Sequence, residues 1–238
     1  MLARQLDIAE IGIEGQKALA DSAVLVVGAG GLGAPVITYL ASAGVGTIYI
    51  ADGDAVEETN LNRQFLHTTK DIGRNKAKSA AEKARLINGL SKIIEVNKFL
   101  SGPPLHEYVG KVDCVVDCID SYEMRREVGR ATLKAGIPLI EAGVSDLYGW
   151  MLCVDREHAC LECAGLRDII RVESPPVLGA LVGMVGSAQA LECIKVLLKS
   201  PDISFGRLIN FDGRRMEVES IEIEKDAHCK AHNYAVSV

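Results

Sequence analysis

Several features are scarce or missing in this 238-residue chain, and each absence narrows its chemistry. There is no excess of positive charge: 26 Lys and Arg stand against 32 Asp and Glu, a net charge of −6, so nothing points to nucleic acid or to an anionic membrane surface. The opening MLARQLDIAEIG is charged and has no long apolar stretch, so no secretory leader is expected. No membrane span is expected either, because the most apolar segment, Val177–Leu198, carries Gln189, Glu192 and Lys195 and reads as a buried helix. Seven cysteines make an odd number, which argues against a disulfide framework and for a cytoplasmic chain. Repeats and low-complexity segments are absent.

What remains is the composition of one large α/β domain over residues 1–238. Helical spacing of apolar residues over Gln5–Ala20 predicts one or two short helices outside the sheet, so residues 1–22 form an N-terminal helical segment. Residues 23–145 then alternate strand and helix. Strands are expected at Ala23–Val27, Thr47–Ala51, Ile93–Leu100, Val112–Val116 and Pro138–Ala142, with helices at Leu32–Ala43, Lys76–Asn88 and Tyr122–Ala135. This rhythm predicts a Rossmann-like, doubly wound parallel sheet. Residues 146–238 change character: Trp150–Val154, Arg207–Phe211 and Glu217–Ile223 read as antiparallel strands that extend the sheet, the last with alternating polar and apolar residues.

The first strand runs into Gly28-Ala29-Gly30-Gly31-Leu32-Gly33. A G-x-G-x-x-G turn opening a helix holds a nucleotide, because glycines allow close backbone approach and the helix N-terminus attracts negative charge. Alone, that loop suggests an NAD-dependent enzyme. Cleaving ATP between its α and β phosphates needs more: a carboxylate for the ribose, cations facing the triphosphate and an acid for magnesium. Asp52 ends the second strand roughly 20 residues beyond the glycines, where a ribose-binding acid belongs. Arg63 and Lys76 can supply the cations. Asp120, after the strand Val112–Val116, can supply the magnesium ligand. Asp54 either contacts magnesium or orients the loop, and Asp117 is the weaker acid and can simply cap a turn.

These pieces, in this order, resemble the ThiF/MoeB/HesA family, the prokaryotic relatives of ubiquitin-activating enzymes. The resemblance rests on GAGGLG, Asn60-Leu61-Asn62-Arg63-Gln64-Phe65-Leu66-His67, Gly73-Arg74-Asn75-Lys76, Asp117-Cys118-Ile119-Asp120, Cys160-x-x-Cys163 and Gly186-Ser187-Ala188-Gln189-Ala190. It implies a homodimeric adenylyltransferase in which a carboxylate attacks the α-phosphate of ATP, giving an acyl-adenylate and pyrophosphate. It further implies that Asp52 holds the ribose, that Asn60, Arg63, Gln64 and Lys76 surround the phosphates, and that Asp120 binds magnesium. Arg4 would reach into the neighbouring subunit's site. The carboxylate would belong to the C-terminal Gly-Gly of a ubiquitin-like sulfur carrier. The alternative is a small-molecule or cofactor precursor, such as the guanylylpyridinol carboxylate of the [Fe]-hydrogenase cofactor. A non-catalytic scaffold is a further reading.

Two departures from the family pattern stand out. Most relatives hold a structural zinc with two C-x-x-C pairs; here the second reads Cys229-Lys230-Ala231-His232. Cys160, Cys163, Cys229 and His232 would form a Cys₃His site, with His228 as an alternative fourth ligand and a metal-free cluster of thiols as the bland reading. In addition, the crossover AGLRDIIRVESPP has no cysteine: Val172 stands about where a thiol would be, and Ser174 without a base is a poor nucleophile. The expected enzyme makes the adenylate without a thioester of its own, and Cys114, Cys118, Cys153 and Cys193 read as core residues.

Overall fold

The computed structural model describes residues 2–165 and 176–236, with side chains to 233. Val172 and Ser174 therefore lie outside the described residues. Eight strands form a single sheet: β1 (Ala23–Val27), β2 (Thr47–Ala51), β3 (Lys92–Val96), β4 (Cys114–Asp117), β5 (Leu139–Ser145), β6 (Tyr148–Val154), β7 (Arg207–Asp212) and β8 (Glu217–Glu222), in the order β3-β2-β1-β4-β5-β6-β7-β8. The first five are parallel, and β6, β7 and β8 are added antiparallel. This is the mixed sheet that the sequence predicts.

Helices cover both faces. Before β1 come α1 (Ala3–Leu6) and α2 (Gly12–Asp21). One face carries α3 (Gly33–Ala43), α4 (Lys76–Ile87) and α7 (Gly179–Leu197), packed over Val24, Val26, Ile48, Ile140 and Met151. On the other, α5 (Gly102–Val109), α6 (Tyr122–Ala135) and α8 (Lys230–Val236) pack with Leu25, Val27, Val115, Leu139 and Leu152. By length and composition α7 could cross a membrane, yet Leu181, Val185 and Cys193 sit in the core and its polar Gln189 is fully buried, donating to the carbonyls of Asp117 and Ile140.

Several boundaries move. The strand expected over Ile93–Leu100 stops at Val96, because its partner β2 ends at Ala51 and Asp52 N–H closes the register on Val96 O at 3.2 Å. Helix α5 goes unpredicted, although Pro103 and Pro104 occupy its first turn, where proline is tolerated. Helix α8 was likewise not predicted. The alternation in β8 buries neither face: all six residues of this edge strand are exposed.

Candidate active site

The carboxyl ends of the parallel strands open into a cleft of about 1050 Å³. It begins at the β1–α3 turn. Gly28 sits at φ +99°, and a Cβ there would come 2.7 Å from Cys118 O. Gly33 lies beneath the wall instead of lining it, since a Cβ would meet Gly28 O at 2.2 Å; its role is to let the helix close on the loop. Gly30 and Gly31 line the cleft.

Asp52 braces this loop with both oxygens. Oδ2 accepts from Ala29 N–H and Oδ1 from Asp54 N–H, each at 2.8 Å. Burial raises its pKa, and these two N–H groups and Lys76 oppose the shift. His67 locks the loop from behind: its Nε2 faces Ala29 O at 2.9 Å and must donate, leaving Nδ1 to accept from Ser79 Oγ at 3.0 Å. Burial lowers the pKa of this histidine and favours its neutral form. Asn75 caps α4 by accepting from Lys78 N–H and donates to the carbonyls of Asp52 and Asp54. The next residue, Lys76, is thereby aimed into the cleft, where Nζ lies 3.1 Å from Asp54 Oδ2.

Arg63 and Gln64 enter from the opposite wall. Asn60 O accepts from both their N–H groups, and Asn60 Oδ1 accepts from Glu57 N–H. Asn60, expected among the phosphate-binding groups, shapes the turn and does not line the cleft. Gln64 is buried against Gly30 with Oε1 unpartnered. Asp120 is exposed on the rim after β4 and makes no ion pair among the described residues. Arg4 is exposed on α1 and does not line the cleft of its own chain.

Under the far wall lies a charged group of which sequence reasoning names only Asp117. Asp117 on β4 and Glu141 on β5 are register partners, both buried, and Arg125 from α6 pairs with Asp117 while its charge bears on Glu141. Its Nε lies 3.4 Å from Asp117 Oδ2, Nη1 donates to Ala142 O at 2.7 Å, and Nη2 donates to Ile119 O. Asp117 does cap a turn, accepting from Ile119 N–H at 2.9 Å, and so supports the loop carrying Asp120. Burial raises Asp117 and pushes Glu141 up to about 8, with Arg125 opposing both shifts. A carboxyl whose folded pKa is raised holds its proton in the folded state and releases it in the unfolded one. Stability from Glu141 is therefore complete below the ordinary value of 4.5 and declines as pH rises toward 8. Between those values Glu141→Gln is expected to flatten the pH dependence by up to about 1.4 kcal/mol per pH unit. Urea melts of both proteins from pH 5 to 9 check this, and parallel curves would refute it.

Four further side chains form a second cluster. Cys160 Sγ lies 3.8 Å from Cys163 Sγ and 3.6 Å from Cys229 Sγ, and His232 Nδ1 is 3.9 Å from Cys163 Sγ. The ligand atoms all lie within 4.8 Å of one another. Tetrahedral zinc with Zn–S of about 2.3 Å requires S–S edges of roughly 3.8 Å, so the donor set fits that ion. His232 Nε2 faces His158 O at 3.0 Å and must donate there, which turns the Nδ1 lone pair toward the thiols. His228 is outside the cluster. The other thiols are core residues, as expected: Cys114, Cys118, Cys153 and Cys193 are buried. Cys118 borders the cleft, but burial drives its pKa well upward and keeps it a thiol.

A model of the ThiF family matches residues 2–231. The sulfur carrier protein ThiS adenylyltransferase of Escherichia coli is 35% identical over 231 residues, covering 95% of this chain and 92% of that protein. The SAMP-activating enzyme E1 of Haloferax volcanii is 35% identical over 231 residues, covering 95% and 86%. Among solved structures, E. coli MccB with ATP superposes with a TM-score of 0.79 at 24% identity, covering 92% of this chain and 68% of that one, a likeness of fold.

Proposed function

The chain belongs to the ThiF family, and from that premise we propose that it activates the C-terminal carboxylate of a ubiquitin-like sulfur carrier as an acyl-adenylate. The observation that carries this reading is the cleft's extent. It does not end at the nucleotide half but runs on past Gly143, Tyr148 and Trp150 to Asn210 and Glu219, across β5, β6, β7 and β8. Three strand steps of about 4.8 Å make roughly 14 Å, room for about four residues of extended chain at ~3.3 Å each. A carrier tail uses that length. A compact small carboxylate leaves most of it empty.

In this reading the ribose hydroxyls bind Asp52, and the loop amides and the N-terminus of α3 face the phosphates. A carboxylate oxygen of the tail attacks the α-phosphorus, the α–β anhydride bond breaks, and pyrophosphate leaves with the electron pair. Arg63 and Lys76 stabilise the charge that builds on the phosphoryl oxygens. Asp120, a rim carboxylate free of ion pairs among the described residues, would hold magnesium, which offsets charge on the triphosphate. Arg4 would complete the partner's site in a homodimer, and the Cys₃His cluster would hold zinc structurally.

The test is magnesium-dependent ATP–pyrophosphate exchange, run with Gly-Gly-ended carriers of the same genome and, separately, with small carboxylates. Exchange is expected only with a carrier. Stimulation by a small carboxylate alone would overturn the carrier assignment while keeping the adenylation chemistry.

A further inference from the structure

The far half of the cleft is floored by one cross-strand row. Gly143 on β5 is in register with Trp150 on β6, Trp150 with Asn210 on β7, and Asn210 with Glu219 on β8; all four line the cleft. Trp150 is the chain's only tryptophan. Its indole fills the space a side chain at Gly143 would take, since a Cβ there would lie 2.6 Å from Nε1. The Arg125 guanidinium, fixed by the carbonyls of Ala142 and Ile119, sits 5.0 Å from the ring centroid and holds the ring by a cation–π contact. Nε1–H donates to no described residue and is not a buried unpartnered atom, so it is open to a ligand in the cleft. A fixed ring and an unspent donor thus stand where a substrate leaves the nucleotide half.

We propose that Trp150 is the specificity-determining residue of the cleft. Its ring narrows the track beside the reacting carboxylate so that only glycine passes at the penultimate position, and its N–H donates to a main-chain carbonyl of the substrate tail. This inference rests on the reading that the cleft takes an extended carrier tail. A single added methyl against a rigid wall costs about 10–200-fold in kcat/KM.

The experiment takes a carrier that supports exchange and compares its Gly-Gly end with an Ala-Gly end, using the wild-type enzyme, Trp150→Ala and Trp150→Phe. The wild type should prefer Gly-Gly by about 10–200-fold. In Trp150→Ala the preference should collapse toward unity. Trp150→Phe should keep most of it, while the KM for both carriers rises through loss of the N–H donor. The wild type supplies a second readout that needs no variant: saturating carrier should change the fluorescence of the sole tryptophan. An unchanged ratio in Trp150→Ala, equal use of both tails by the wild type, or unchanged fluorescence would each overturn the assignment. A wild type that exchanges with no carrier at all would instead remove the reading beneath it.

Discussion

Lys76→Ala should lower carrier-dependent ATP–pyrophosphate exchange by about 10²–10³-fold, the loss typical when one preorganised charge facing the transition state is removed. The ammonium is nearly enclosed: the side chain is 11% exposed at the start of α4, and Asn75 anchors that helix end to the strand carrying Asp52. A group held in this way need not reorganise as negative charge gathers on the phosphoryl oxygens, so most of the loss should fall on kcat and less on the KM for ATP. The fold should scarcely notice. The partner lost is Asp54, whose side chain is 55% exposed and can be rehydrated, and exposed pairs of this kind contribute about 0–1 kcal/mol. Lys76→Arg should rescue poorly, because a planar fork does not replace a compact charge in a tight niche. A variant with undiminished exchange, or one inactive only because its melting point collapses, would count against the role given to Lys76.

The glycine-loop half of the cleft is legible in the sequence because its parts are local. Gly28–Gly33, Asp52 and Lys76 each sit at the end of an element whose periodicity is strong, and a strand end or helix start dictates where such a side chain points. Asn60 lies outside the lining of the cleft. Its side-chain Oδ1 accepts from Glu57 N–H, a capping contact that spacing cannot tell from a binding one. The far half was not legible, because it exists only through register. Trp150 meets Gly143 and Asn210 through pairings between β5, β6 and β7, and β7 lies some 55 residues farther along the chain. One signal was available. Glu141 puts a carboxyl group inside the otherwise apolar run Pro138–Ala142, and an ionisable residue in a strand buried on both faces signals a buried polar group, here with Asp117 and Arg125. The antiparallel strands β6, β7 and β8 are read correctly from the sequence and two short helices, α5 between β3 and β4 and α8 after β8, are not, because they are set by proline and by the Cys₃His cluster more than by apolar period.

Cys229→Ser should cost about 4 kcal/mol, within the range reserved for loss of a structural metal, and should lower the melting temperature by roughly 10 °C for a chain of this size. The argument starts from what the cluster joins. Cys160 and Cys163 lie just beyond β6, while Cys229 and His232 sit one helical turn apart at the start of α8. Helix α8 is seven residues long, too short to be stable alone, and packs on α6 with Ala231 buried. The same cluster fixes the chain between the two cysteines, where Glu162 is buried between Arg126 and Arg130 of α6 at 3.4 and 3.1 Å. Loosening it should therefore disturb the α6–α8 face first and the glycine loop last, so kcat should fall less than stability does. Two measurements make this decisive: zinc per chain in the purified protein, expected near one, and the melting temperature of His232→Cys, which restores a four-thiolate set and should keep both metal and stability. A wild type free of zinc, with Cys229→Ser melting at the same temperature, would make the four side chains a metal-free packed cluster of thiols and imidazole, with α8 held by its packing on α6 and by His232 on His158 O.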